Sequence, residues 1–162
     1  MNVKLLTLIV VVNFLLQTTI FQYFRIAGIL PNTALIIVVV VSILSGRKKG
    51  ITAGVLAGIL QDLFFSRAIG VNTGIYVLIG YIIGGLEKKL FKDNNLTPLF
   101  LINFSTVFYH LVYLIIMYFF KIPINFWSIF RRIIIIEAIY NALIGIIVYK
   151  WSCSQLYRNR YR

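Results

Sequence analysis

The stretch that decides the fold is residues 46–62, which read GRKKGITAGVLAGILQD. Gly46, Gly50, Gly54, Gly58 and Asp62 recur there at every fourth position. At 3.6 residues per turn, this spacing forms one slowly drifting stripe along a helix. Small residues in such a stripe let another helix approach closely, and close packing holds helices together in lipid. The stripe therefore predicts a tightly packed helix, with its neighbour drawn either from the same chain or from a partner protein.

The composition indicates that the surrounding solvent is a lipid bilayer. Of the 162 residues, 60% are apolar and only 12% are charged, whereas soluble domains carry about 25% charged residues. A chain this short cannot enclose so much apolar surface in a core of its own. We therefore expect an integral membrane protein.

Working outward from the stripe, the apolar segments predict an all-α membrane protein, a compact bundle of six short transmembrane helices. One domain covers residues 1–151, and a basic cytoplasmic tail covers 152–162. Segments two to four are shorter than the roughly 20 residues that cross a bilayer, so five crossings with one re-entrant segment is the alternative. The predicted spans are Val3–Tyr23, Pro31–Ser45, Gly50–Phe65, Gly70–Leu86, Thr97–Phe120 and Phe130–Trp151.

The positive charges predict the orientation. The net charge is +12, and the basic residues cluster between apolar runs, which argues against a nucleic-acid partner. Cytoplasmic loops of membrane proteins are enriched in Lys and Arg, so both termini are expected on the cytoplasmic side of the membrane. The inner side then holds Lys4, Arg47, Lys48, Lys49, Lys88, Lys89, Lys92, Lys150, Arg158, Arg160 and Arg162. The outer side holds Arg25, Arg67, Lys121, Arg131 and Arg132.

Part of this inner charge is expected to form a functional surface. Clustered cations at the inner face attract anionic lipid, and a specific cytoplasmic partner is the alternative for the tail. The predicted cytoplasmic basic surface consists of Arg47, Lys48, Lys49, Lys88, Lys89, Arg158, Arg160 and Arg162.

A few polar residues interrupt the apolar spans and are expected to point into the bundle. A carboxylate at the centre of a bilayer costs about 2.5–3.5 kcal/mol even on insertion scales, so Asp62 and Glu137 need partners. Asp62 is expected either to pair with or cap the outer loops, or to contact a partner or ligand. The predicted interior polar residues, around a polar core or small cavity, are Asn13, Gln17, Asn72, Asn103, His110, Glu137 and Asn141.

Catalysis and metal binding find little support in the sequence. Cys153 is the only cysteine and His110 the only histidine, so no ligand cluster for a metal is expected. Asp62 and Glu137 lack an evident nucleophile or titratable partner for acid–base chemistry. We expect no catalytic residue, no metal and no cofactor. An ion channel or proton carrier remains an alternative if Asp62, Glu137 and His110 share a path.

The central segment resembles a known family. Residues 50–64, GITAGVLAGILQDLF, followed by residues 69–73, IGVNT, are similar to the signature of the rod shape-determining protein MreD family. Leu16-Gln17-Thr18 resembles a leucine-glutamine-small pattern of that family. Pro31-Asn32 resembles its proline-aspartate pair, with Asn32 in place of the acid. The likeness is specific over spans two to four and rests on length and hydrophobicity in spans five and six.

This resemblance implies a fold and a function. The fold would be similar to that of the substrate-binding subunits of energy-coupling-factor transporters. The function would be a non-catalytic scaffold of the bacterial elongation machinery, which maintains rod shape and directs lateral peptidoglycan synthesis. The implied partners are an MreC-like single-pass membrane protein, MreB filaments, a SEDS-type glycan polymerase and a class B penicillin-binding transpeptidase. The partner helix would lie in a groove formed by Gly50, Gly54, Gly58 and Asp62.

The leading alternative is a vitamin-capturing subunit of an energy-coupling-factor importer, because the six-helix plan is shared. Such subunits couple to their transporter through a small-xxx-small motif on the first helix. Residues 8–16 of this chain read LIVVVNFLL and lack that motif. The sequence therefore favours the shape-determining role over import.

Overall fold

The regular structure of the described residues is helical. The computed structural model describes residues 2–26, 28–66, 69–87, 96–121 and 135–160, with the backbone alone at 156–160. Phe21–Phe24 forms a short 3-10 turn. The helices of the described residues are α1 (Val3–Thr18), α2 (Thr33–Phe65), α3 (Val71–Leu86), α4 (Leu96–Phe119) and α5 (Ile135–Arg160).

Helix α2 reverses direction at Gly46, so it consists of two arms, residues 33–45 and 47–65. Gly46 has φ 79° and ψ −175°, a conformation that glycine adopts without a steric penalty. A side chain on Gly50 would collide with the Ser42 hydroxyl, although eight residues of straight helix span about 12 Å. Two predicted spans are therefore arms of one helical element, without the predicted loop between them.

The second arm of α2 packs antiparallel against α3 through glycine. A Cβ atom on Gly54 would lie 2.6 Å from the Tyr76 carbonyl oxygen, and one on Gly80 would lie 2.5 Å from the Gly50 carbonyl oxygen. A Cβ on Gly58 would lie 2.8 Å from the Thr73 amide nitrogen. The stripe thus brings the two backbones into direct contact, as expected for small residues at this spacing.

The first arm of α2 is the centre of the bundle. Residues 33–43 are all buried, and α2 contacts each of the other four helices. A helix that is apolar on every side has to be surrounded by protein or lipid. Here the chain surrounds it with its own helices.

The outer faces of the bundle are apolar. Exposed along α4 are Phe100, Phe104, Val107, Leu111 and Ile115, at the three- and four-residue spacing of a single helix face. Leu96–Phe119 and Ile135–Gln155 are long and apolar enough to cross a membrane. Helices α1 and α3 are shorter, with 16 residues each.

Some helix boundaries differ from the predicted spans. Helix α1 ends at Thr18, and residues up to Phe24 continue as the 3-10 turn. Helix α5 continues to Arg160, so most of the predicted tail is an extension of the last helix. The predicted start of that helix, at Phe130, lies outside the described residues.

The two ends of the bundle differ in charge. The Asn32 end is where α1 ends and the first arm of α2 begins, and the Gly46 end is where the arms of α2 meet. Among the described residues, the Asn32 end carries Arg25 and Lys121. The Gly46 end carries Lys4, Arg47, Lys48, Lys49 and Lys150.

The Gly46 end carries most of the described part of the predicted basic surface. Arg47 and Lys48 are exposed, and Lys49 is half-buried. The Arg47 guanidinium carbon lies 4.4 Å from the centre of the Tyr81 ring. Lys88, Lys89 and Arg162 lie outside the described residues, as do the side chains of Arg158 and Arg160.

Candidate functional site: a polar cluster and cavity at the Asn32 end

Asp62 caps helix α3. Its Oδ1 accepts a hydrogen bond from the Asn72 amide at 3.0 Å, and its Oδ2 accepts from the Thr73 amide at 2.9 Å and from the Thr73 hydroxyl at 2.6 Å. The first amides of a helix have no partner within the helix, and a carboxylate is favoured there by the helix dipole. The cap of α3 is thus supplied by a side chain of α2.

His110 and Glu137 form a buried pair between α4 and α5. Nε2 of His110 lies 2.9 Å from Oε2 of Glu137, and the two residues are 8% and 6% exposed. The sequence predicted no titratable partner for Glu137, and the contact with His110 shows that this prediction was wrong. Periodicity within single helices cannot reveal a contact between residues 27 positions apart.

Asn32 and Asn141 tie four helical segments together. The Asn32 amide donates to Oδ1 of Asn141 at 2.8 Å, and the Tyr76 hydroxyl donates to Oδ1 of Asn32 at 2.9 Å. Asn141 donates to the Thr106 hydroxyl at 3.0 Å and, at 3.4 Å, to Glu137. Asn141 is fully buried, so these bonds satisfy a side chain that would otherwise be costly to bury.

A cavity of about 200 Å³ opens beside this cluster. Across it, Nε2 of Gln61 donates to Oε1 of Gln17 at 2.9 Å, which joins α1 to the second arm of α2. Nearby, the Tyr109 hydroxyl donates to Oδ1 of Asn72 at 2.5 Å. The cavity is lined by Gln17, Leu30, Pro31, Asn32, Gln61, Tyr76, Tyr109, His110 and Glu137.

The structure brings together most of the interior polar residues that the sequence singles out. Gln17, Asn72, His110, Glu137 and Asn141 are buried and belong to the cluster. Two others, Asn13 and Asn103, are half-buried and lie apart from the cluster. Asn103 donates a hydrogen bond to the Leu99 carbonyl of its own helix.

Five members of the cluster were not predicted as site residues. Gln61 precedes Asp62, and Tyr76 follows Asn72 by one helical turn, so both positions adjoin residues that the sequence did single out. Asn32 was noted only as a departure from a family pattern. The complete set is Asn32, Gln61, Tyr76, Thr106 and Tyr109.

The glycine stripe is not an open groove. Helix α3 lies against Gly50, Gly54 and Gly58 at backbone contact distance, and Asp62 is bonded to the start of the same helix. A partner helix therefore has no space on this face. Of the two alternatives that the sequence left open for the stripe, the geometry corresponds to packing within the chain.

The chemistry available at the Asn32 end is hydrogen bonding in a confined polar space. Among the residues that the structure describes, no group of three or more His, Cys, Asp or Glu residues could hold a metal ion. The cluster offers amides, two tyrosine hydroxyls and one His–Glu pair. Such a set can join helices and can contact a small polar molecule.

The comparison with known proteins identifies the family. The family model for rod shape-determining protein MreD matches residues 1–157. The chain belongs to the MreD family. MreD is a shape-determining structural family of membrane proteins, so the chain has a role in rod cell shape. No curated protein and no solved structure gives a significant match to the chain.

The residues on which the resemblance to MreD rested lie together in the structure. The glycine stripe, Asp62 and the turn at Gly70–Asn72, on which the resemblance to MreD rested, meet in the α2–α3 hairpin. The residues on which the resemblance rested therefore form a packing and capping arrangement in this chain.

Proposed function

We propose that the protein is a non-catalytic membrane adaptor of the bacterial elongation machinery, which maintains rod shape by recruiting an MreC-like single-pass protein. The family match over residues 1–157 carries this proposal. MreB filaments, a SEDS-type glycan polymerase and a class B penicillin-binding transpeptidase belong to the wider complex. Vitamin capture is not proposed, because the matching family model is that of a shape-determining protein.

In this proposal the chain crosses the cytoplasmic membrane six times, with both termini in the cytoplasm. The two arms of α2 count as two crossings, and α1, α3, α4 and α5 supply the others. The charge difference between the ends supports this orientation, because the Gly46 end holds five of the seven Lys and Arg residues whose side chains the structure describes, and positive charge favours the cytoplasmic side.

Labelling of single cysteines tests the orientation. In a Cys153→Ser background, Lys48→Cys and Lys121→Cys place one thiol at each end of the bundle, both at exposed positions. A membrane-impermeant maleimide added to intact spheroplasts should label Lys121→Cys and leave Lys48→Cys unlabelled until the membrane is opened. Labelling of Lys48→Cys in intact spheroplasts would show that the orientation is reversed.

The partner helix is expected to bind an outer, lipid-facing side of the bundle, since α3 fills the glycine stripe. Affinity capture of the tagged protein in mild detergent should retain the MreC-like protein from the same cells. Tryptophan substitutions at exposed positions on different helices, such as Leu8→Trp on α1 and Leu111→Trp on α4, should identify the side that binds. Failure of the folded wild-type protein to retain the partner would contradict the adaptor role.

The basic surface at the Gly46 end is proposed to bind anionic lipid. Each Lys or Arg near an anionic membrane surface contributes about 1 kcal/mol of attraction. The purified protein with Arg47→Gln and Lys48→Gln should therefore retain less phosphatidylglycerol than the wild type in native mass spectrometry. Lys121→Gln, at the opposite end, is the matched control and should retain the wild-type amount. Equal retention by all three proteins would argue against this surface.

A further inference from the structure

We propose that the cavity at the Asn32 end is a binding site for a small, uncharged molecule that carries an amide group. The site is separate from the adaptor role, and neither depends on the other. The cavity is partly open and measures about 200 Å³. This is below the 300–1,000 Å³ of pockets for drug-sized ligands and well above the space that one water molecule needs.

The hydrogen-bonding groups of two glutamines define the chemistry of the ligand. Gln61 uses its Nε2 and Gln17 its Oε1 in their mutual bond. Within the described part of the chain, this leaves Nε2 of Gln17 and Oε1 of Gln61 without a protein partner. If the nitrogen and oxygen positions of both side-chain amides are exchanged, one donor nitrogen and one acceptor oxygen still remain free.

An amide matches this inventory, because it supplies one carbonyl acceptor and one N–H donor. Gln17 and Gln61 are buried residues that line the cavity, so a molecule in the cavity can reach their free atoms. The side-chain amide of Asn32 adds a further donor. Its Oδ1 accepts a hydrogen bond from Tyr76, and its Nδ2 has no partner among the described residues.

The charges around the cavity select against anions. Among the described residues that line it, none is Lys or Arg, and Glu137 contributes a carboxylate. An entering anion would meet the Glu137 carboxyl group and would find no Lys or Arg side chain to pair with among these residues. A cation is not required either, because Glu137 already contacts His110 at 2.9 Å and Asn141 at 3.4 Å.

The segment before α2 forms one wall of the cavity. Leu30 and Pro31 line it, and neither belongs to a helix. Tyr76 and Tyr109 line another part, with their rings stacked at a centroid distance of 5.5 Å. A flat molecule with a ring and an amide fits such a mixture of aromatic and amide groups.

Benzamide and benzoate provide a matched pair of probes, because they share ring and shape and differ in the group that the glutamines would contact. A ligand of this size binds with a Kd in about the millimolar range. At about ten times Kd, benzamide should raise the unfolding temperature of the detergent-solubilised protein by roughly 3 °C or more. Benzoate at the same concentration should leave it unchanged.

Two variants and one control locate the site. Leu30→Trp places a large ring in the mouth of the cavity and should abolish the response to benzamide. Gln61→Leu removes a hydrogen-bonding partner and should weaken benzamide binding by about tenfold. Leu8→Trp adds the same ring on the lipid-facing side of α1, away from the cavity, and should respond like the wild type.

The outcomes separate clearly. A response to benzamide that is lost in Leu30→Trp and reduced in Gln61→Leu supports the proposal, and Gln61→Leu decides alone if Leu30→Trp does not fold. The proposal is overturned if the wild type does not respond, or if benzamide and benzoate act equally. It is also overturned if both cavity variants respond like the wild type.

Discussion

At the scale of single residues, the two acids inside the bundle are made tolerable in different ways. Asp62 receives three hydrogen bonds from the start of α3. Glu137 receives its bonds from two side chains, His110 and Asn141. Asp62 therefore contributes to the position of a helix, whereas Glu137 joins two helices through a side-chain pair.

Replacing Asp62 should weaken the α2–α3 hairpin. Asp62→Ala leaves the amides of Asn72 and Thr73 buried without an acceptor and should lower the free energy of unfolding by about 2 kcal/mol. Asp62→Asn keeps one carbonyl acceptor and should lose about half as much. Thermal unfolding in mild detergent measures both, and equal stability of Asp62→Ala and wild type would contradict the capping role.

The His110–Glu137 pair should show strong coupling. Removal of one member leaves the other buried without its partner, so each single change, His110→Leu or Glu137→Leu, should destabilise the protein. The double variant should be more stable than the sum of the single effects predicts, by about 1–3 kcal/mol. A double-mutant cycle of unfolding free energies checks this, and additive effects would show that the two residues act independently.

The sequence predicted the burial of polar residues better than their pairing. Helical spacing placed Gln17, His110 and Asn141 on inward faces, because one helix determines its own faces. It could not pair His110 with Glu137 or place Asn32 against Asn141, since those contacts depend on how distant helices are arranged. Tyr76 escaped notice because a tyrosine in an apolar helix is typical of ordinary packing.

At the scale of helices, the central feature is the hairpin between α2 and α3. The four-residue spacing of glycines predicted close packing, and it allowed both a neighbouring helix and a partner protein. The sequence could not distinguish between these two alternatives, because the glycine spacing on α2 does not show which helix packs against it. The reversal at Gly46 was expected as a loop, since a glycine beside three cations resembles a connection between separate helices.

Adding a single methyl group to the hairpin should separate its helices. Gly54→Ala places a Cβ 2.6–2.8 Å from the backbone of Tyr76 and Val77, and this overpacking should cost about 1–3 kcal/mol of stability. Gly74 is the matched control, because a Cβ there meets nothing within 4 Å. Gly74→Ala should be neutral or stabilise by up to about 1 kcal/mol, as alanine favours helix.

The comparison of these two alanine variants is made by thermal unfolding under the same detergent conditions. If Gly54→Ala were as stable as Gly74→Ala, the close approach of α2 and α3 would be wrong. Capture of the MreC-like partner adds a second readout. Gly74→Ala should retain the partner as the wild type does.

At the scale of the whole molecule, two helices of the bundle are shorter than the hydrocarbon core of a typical bilayer is thick. Helices α1 and α3 have 16 residues each, which gives a length of about 24 Å, against about 30 Å for the hydrocarbon core of a typical bilayer. Helix α4, with 24 residues, is long enough to cross with a tilt. In the proposed arrangement of six crossings, the short helices favour a locally thinned membrane around one side of the protein.

This difference in length predicts a dependence on the lipid. In vesicles of phosphatidylcholine, unfolding should occur at a higher temperature with acyl chains of about 14 carbons than with chains of about 22 carbons, because mismatch has an energetic cost. Thermal unfolding of the reconstituted protein measures this. The opposite order would indicate that the short helices do not determine the hydrophobic thickness.

The central position of α2 has a consequence for how the protein could relay a force. Every other described helix contacts α2, so a displacement of any one of them acts on the same helical element through a single contact. Two partners bound to different helices would then be mechanically connected without contacting each other. In the proposed adaptor role, this shared contact with α2 would let tension or displacement pass between bound partners.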